Sequence, residues 1–128
     1  MAKPLRILLV EDSERDAALL QLYLKRGGYD AQIVRVENSV GMRSQLASGG
    51  KFDVVISDFN LPGFNAYAAL NELQQSGKRI PLIVLSGEIN QKIIDGVKQA
   101  GATEYLAKYE MRQIVPAIER ALQASPPG

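Results

Sequence analysis

The stretch Val54-Val55-Ile56-Ser57-Asp58-Phe59-Asn60-Leu61-Pro62-Gly63-Phe64 (VVISDFNLPGF) runs apolar residues into one carboxylate and then into proline and glycine. Its first residues have the length and composition of a buried strand, and its last ones mark a turn. An aspartate delivered to the tip of such a strand is costly to desolvate and needs a chemical reason. Similar runs recur on either side, at Leu5 to Val10, Ala31 to Val36, Leu82 to Ser86 and Thr103 to Ala107, each separated from the next by enough chain for a helix. The first, third and fourth runs are nearly unbroken apolar, as parallel strands covered on both faces require.

The intervening segments have helical periodicity. Ala17, Leu20 and Leu24 fall on one face, Ala66, Leu70 and Leu73 on a second, Ile93, Val97 and Ala100 on a third, and a further helix is expected near Asn38 to Ser48. Glycines stand where these helices should stop, at Gly27-Gly28, Gly49-Gly50, Gly77 and Gly101. Met111, Ile114, Val115, Ile118 and Leu122 make a fifth amphipathic stretch, which tolerates Pro116 if it starts near Arg112 or Gln113. The expected organisation is one domain over residues 1–123, followed by a Pro-rich tail or the start of a linker over 124–128. Five strands alternating with helices define an α/β protein, a doubly wound (βα)5 parallel sheet with helices on both faces. Ligands of such sheets bind outside the carboxyl ends of the strands, where Asp58 lies.

Composition removes many chemistries. The 128 residues carry 15 basic and 14 acidic side chains, so the net charge of +1 suggests neither a nucleic-acid surface nor an acidic tail. The absence of cysteine excludes disulfides and thiolate metal sites, and the absence of histidine excludes Ser-His-Asp triads and histidine-based zinc motifs. No apolar run approaches the ~20 residues of a membrane span, so a cytoplasmic protein without membrane contact is expected.

Glu11-Asp12 follow the first strand and Asp58 the third, so three carboxylates converge at one sheet edge if those strands are neighbours. Their repulsion raises pKa values or demands a cation, and a few oxygen ligands favour Mg2+ or a similar hard ion. Ser86, ending the fourth strand, and Lys108, just after the fifth, reach the same edge. A cation, an ammonium and a hydroxyl around a carboxylate nucleophile suit a phosphoryl group and an aspartyl phosphate. Each residue also has a plainer reading. Asp12 and Ser13 could cap the first helix, with Asp16 as an acidic residue near its positive end. Asp58 and Asn60 could serve turn chemistry, Ser86 could cap the fourth helix, Lys108 could be a solvated lysine and Tyr105 an ordinary strand residue. All the strand ends carrying the fitting group in the fitting order favours the joint reading.

With Glu11-Asp12, Asp58 within SDFNLPG, Ser86 within LIVLSG, AGATEYL and Lys108, residues 5 to 123 resemble a receiver domain of a two-component response regulator. The resemblance implies a flavodoxin-like sheet in the order 2-1-3-4-5, as in the chemotaxis receiver. It also implies that Asp58 is the phosphoacceptor, and that Mg2+ is held by Glu11, Asp12, Asp58 and the backbone carbonyl of Asn60. Lys108 would contact the phosphoryl group, Ser86 would be the switch hydroxyl and Tyr105 the aromatic switch residue. The implied partners are a histidine kinase or histidine phosphotransfer protein as donor. A C-terminal output module or a homodimer would be reached through helix four, strand five and helix five, which span Glu88 to Ala100 and Met111 to Leu122. The only catalysis implied is the domain's own phosphorylation and dephosphorylation.

Two positions depart from the family pattern. Tyr109 replaces the proline that usually follows the lysine in a cis peptide, so that bond should be trans, and Ala66 replaces a glycine common after the Pro-containing loop. The combination of LPGFNA, LSGEI and YLAKYE with IVPAIERAL is similar to receivers that precede sensor-kinase or diguanylate-cyclase modules. Three other classes fit less well. A pseudo-receiver would not need all five site groups, and a haloacid-dehalogenase-type phosphatase needs an acid where Asn60 stands. A flavodoxin-like cofactor carrier would have its phosphate repelled by Glu11-Asp12.

Overall fold

The computed structural model describes residues 2–87 and 90–124. The expectations that fall on Glu88 and on the tail beyond residue 124 lie outside them. In chain order the elements are β1 (Lys3–Val10), α1 (Glu14–Arg26), β2 (Tyr29–Val36), α2 (Ser39–Ala47), β3 (Val54–Asp58), β4 (Asn60–Leu61) and β5 (Phe64–Asn65). They continue with α3 (Ala66–Gln75), β6 (Leu82–Ser86), α4 (Gln91–Gln99), β7 (Glu104–Ala107), a 3-10 helix over Lys108–Gln113 and α5 (Ile114–Ala124). Five strands form one parallel sheet in the order β2-β1-β3-β6-β7, the expected 2-1-3-4-5 once the two short strands are set aside.

Those short strands are the main departure from the expected element list. Asn60 and Leu61 pair antiparallel with Asn65 and Phe64, turning the loop after Asp58 into a hairpin around Pro62-Gly63. Gly63 has φ of 71°, which L side chains rarely adopt, while proline presets the residue before it, so the sequence fixes this turn locally.

Double coverage explains the unbroken apolar strands. Leu8, Val10, Val55, Leu82 and Val84 face one cluster with Met42 and Leu46 of α2, Ala69, Leu70 and Leu73 of α3, and Val97 of α4. Ile7, Leu9, Val54, Ile56, Ile83 and Leu85 face a second, with Leu20 and Leu24 of α1 and Ile114 and Ile118 of α5. Each of these valine, leucine, isoleucine and methionine side chains contributes about 1.5–3 kcal/mol on leaving water. The predicted helix faces are the ones turned to the core, with Ala17, Ile93, Ala100 and Val115 half-buried at their margins and Leu122 exposed.

Local signals set the ends. Ser13 caps α1 by accepting from the Asp16 N–H, and Asn38, Asn65 and Asn90 cap α2, α3 and α4 in the same manner. The cap of α4 is thus Asn90 rather than Ser86. Pro116 is the third residue of α5, in the first turn where its missing N–H does no harm. Among the described residues every peptide bond is trans, Lys108 to Tyr109 included, and no helix is long and apolar enough to cross a membrane.

Candidate functional site

Strand register assembles the site. Val10 lies beside Ser57, so Glu11 comes level with Asp58 at the carboxyl edge, and Leu85 stands beside Asp58 on its other side. One step further out, Ser86 pairs with Ala107, and the chain after Ala107 begins the 3-10 turn with Lys108. The Arg35 guanidinium of β2 donates to the Glu11 main-chain carbonyl at 3.1 Å, fixing the end of β1 while leaving the Glu11 carboxylate for other partners.

The Lys108 ammonium has three protons and three carboxylates receive them. Its Nζ lies 2.7 Å from Asp16 Oδ2, 2.9 Å from Glu11 Oε1 and 3.1 Å from Asp58 Oδ2. Glu11 and Asp58 are buried, with 1% and 9% of their surface exposed, while Asp12 is open to solvent. One oxygen from each of Glu11, Asp12 and Asp58 falls within 4.8 Å of the others. Burial pushes the Glu11 carboxyl above its ordinary value and Asp58 adds to the rise, against the hydrogen bonds from Lys108 and the Ser13 N–H. Burial pulls the Lys108 ammonium down, yet its hydrogen bonds to Asp16, Glu11 and Asp58 outweigh that and drive its pKa well up.

Hard oxygen donors, close together and carrying more charge than one lysine can match, fit a divalent ion such as Mg2+. The predicted residues Glu11, Asp12, Asp58 and Lys108 therefore meet at one place. Lys108 is bound by the site rather than solvated, and capping of α1 falls to Ser13 rather than Asp12. Asn60 starts the hairpin two residues beyond Asp58. Ser86 is buried, and Tyr105, half-buried in β7, stands beside Val84, so strand alternation puts both side chains on the α4 face of the sheet.

Asp16 stands where expected, an acidic residue in the first turn of α1, but it has a second role that no local pattern announces: its carboxylate makes the shortest contact to Lys108. Only the crossing of α1 over the sheet edge reveals that. A second unforeseen contact lies behind Asp58: the Phe59 ring meets Tyr67 edge-on with centroids 6.0 Å apart, and the Tyr67 hydroxyl occupies the space a Cβ on Gly96 would need. A glycine inside α4, poor for helix propensity, is explained by that close approach.

A doubly wound sheet with an acidic cluster and a lysine at its carboxyl edge defines a class of phosphoryl-binding signalling domains. The profile of the response regulator receiver domain matches residues 7–119, and the chain belongs to that family of phosphoryl-accepting switch domains. It is 31% identical over 121 residues to the transcriptional regulatory protein PcoR of Escherichia coli, covering 92% of this chain and 51% of PcoR. It is 32% identical over 110 residues to the sensory/regulatory protein RpfC of Xanthomonas campestris, covering 83% of this chain but 15% of RpfC. The chain thus spans about half, or far less, of the curated relatives it matches. Among solved structures, the phosphorylated cyanobacterial phytochrome response regulator RcpA superposes with a TM-score of 0.76 at 27% identity, over 96% of this chain and 99% of RcpA. The Mn(2+)-bound response regulator Rcp1 gives 0.73 at 28%, over 91% and 92%.

Proposed function

We propose that this domain accepts a phosphoryl group on Asp58 from the phosphohistidine of a histidine kinase or histidine phosphotransfer protein in the cytoplasm. A carboxylate oxygen of Asp58 attacks phosphorus, the P–N bond to the donor imidazole breaks, and an aspartyl phosphate forms. The single observation that carries this reading is the Lys108 ammonium held against Asp58 and Glu11 at the carboxyl edge of the sheet. Glu11, Asp12, Asp58 and the Asn60 carbonyl would hold Mg2+, which when bound offsets the charge of the incoming group. Lys108 keeps a donor at the oxygen where charge develops, and burial of Glu11 and Asp58 strengthens that interaction. The catalysis is confined to the domain's own phosphorylation and hydrolysis.

The switch would run through Ser86 and Tyr105. A phosphoryl oxygen draws the Ser86 hydroxyl inward, the Tyr105 ring turns toward the vacated space, and the surface of α4, β7 and α5 shifts toward the state that binds an output module, a partner or a second copy. Supporting this, both side chains lie on one face of adjacent strands.

Intact-protein mass spectrometry after acetyl phosphate and Mg2+ tests the acceptor. One base-labile adduct is expected, lost in Asp58→Ala and in chelator; an adduct persisting at wild-type level in either sinks the assignment. For the switch, Ser86→Ala should still take beryllium fluoride yet lose most of the amide shift change in α4 and β7. A full wild-type response would remove Ser86 from the relay.

A further inference from the structure

We propose that Asp16 is a positioning residue for the phosphoryl transfer: its carboxylate anchors the Lys108 ammonium so that one of the ammonium's protons always points at Asp58. The inference rests on the receiver reading of Asp58 and goes beyond it, because the metal cluster and the phosphoacceptor do not require Asp16.

The geometry carries the argument. Lysine is a flexible side chain whose ammonium has three donors and four rotatable stem bonds, so one contact does not fix it. Here Asp16 and Glu11 take two donors at 2.7 and 2.9 Å, and tetrahedral geometry leaves the third for Asp58 at 3.1 Å. Glu11 is also a metal ligand in this reading, and a cation there draws its oxygens away from lysine. Asp16 lies outside the cluster of Glu11, Asp12 and Asp58, so its hold on Lys108 persists when that cluster is engaged. The anchor is itself stiff. The Asp16 main-chain N–H donates to the Ser13 hydroxyl at 3.1 Å, which pins the first turn of α1 above the sheet edge. When a phosphoryl group is on Asp58, its oxygen replaces Asp58 Oδ2 as the third acceptor without Lys108 having to leave Asp16. The ammonium therefore need not be ordered anew at each transfer, which is where positioning raises a rate.

The test compares Asp16→Ala, Asp16→Ser and Asp16→Asn with wild type at saturating acetyl phosphate and Mg2+. Alanine and serine cannot reach Nζ and should slow phosphorylation about tenfold, while the cap of α1, which uses the main chain of residue 16, stays in place. Asparagine keeps an acceptor oxygen in place and should recover most of the loss. A rate within twofold of wild type for Asp16→Ala overturns the proposal, as does a loss that asparagine fails to restore. A readout independent of turnover is the nitrogen-15 signal of the Lys108 ammonium in metal-free protein. It should be resolved, through slowed exchange with water, in wild type and Asp16→Asn and broadened away in Asp16→Ala and Asp16→Ser; an unchanged signal in Asp16→Ala also overturns it. Failure of wild type itself to take a phosphoryl group, or an adduct persisting in Asp58→Ala, would strike the receiver reading rather than the role of Asp16.

Discussion

Glu11 at the sheet edge and Glu72 between α2 and α3 are both buried carboxylates, 1% and 8% exposed, and both face a cation. Around Glu72 the account closes. Arg43 grips it with Nε on Oε1 at 3.1 Å and Nη2 on Oε2 at 2.7 Å, and the Ser39 hydroxyl donates to the same Oε2. One anion meets one cation in the bidentate geometry that suits guanidinium, and the two helices are tied together. Around Glu11 it does not close, because Asp12, Asp16 and Asp58 share the neighbourhood with it and one ammonium contacts the group. The balanced site stabilises the fold. The unbalanced one stores repulsion that a metal ion and a phosphoryl chemistry can use.

The largest effect that would break this comparison is removal of the lysine. Lys108→Ala leaves three carboxylates without their ammonium, with Asp12 close by, and metal-free protein should lose about 2 kcal/mol, less than the ~3–5 of a fully buried pair because the lysine side chain is 21% exposed. Mg2+ should return most of that loss. Urea unfolding with and without Mg2+ measures both, and a loss indifferent to Mg2+ would mean that charge imbalance does not govern the site.

Removing an acid should act in the opposite direction. Asp58→Asn deletes one like charge while its amide oxygen still accepts from Lys108, so metal-free protein should gain about 1 kcal/mol of stability. The same experiment in saturating Mg2+ should shrink or reverse the gain, since the cation loses a ligand. A destabilised Asp58→Asn without metal would place the two sites in one structural class and erase the contrast.

These contrasts were unequally legible in the sequence. The strands could be read from VVISD and LIVLS because double coverage leaves no polar alternation, and Glu11, Asp12, Asp58, Ser86 and Lys108 could be placed because strand ends in a parallel sheet converge on one edge. Asp16 and Glu72 could not be read this way. Each owes its role to a helix crossing that no local pattern encodes: Asp16 needs α1 to overhang Lys108, and Glu72 needs α2 to bring Arg43 from 29 positions away. The β4 and β5 hairpin escaped for the opposite reason, as two-residue strands are too short for any periodicity.

The smallest expected effect concerns Glu72 and acid. Its hydrogen bonds to Arg43 and Ser39 hold its folded pKa below the ordinary 4.5, against the opposing effect of burial. A carboxyl with a lowered folded pKa adds stability that is present above its unfolded pKa and is lost as pH falls through the folded one. The Arg43 side chain is 68% exposed, so solvent screens the pair and truncation strands no buried cation. Glu72→Gln should therefore lower stability by about 0.5 kcal/mol near neutral pH. The gap to wild type should narrow once pH drops below 4.5, because wild type then gives up the same contribution by protonation. Urea midpoints of the two proteins across that range give the comparison its finest grain. A gap that stays constant into acid would assign the loss to packing between α2 and α3, and the Glu72 site would then owe nothing to its balanced charge.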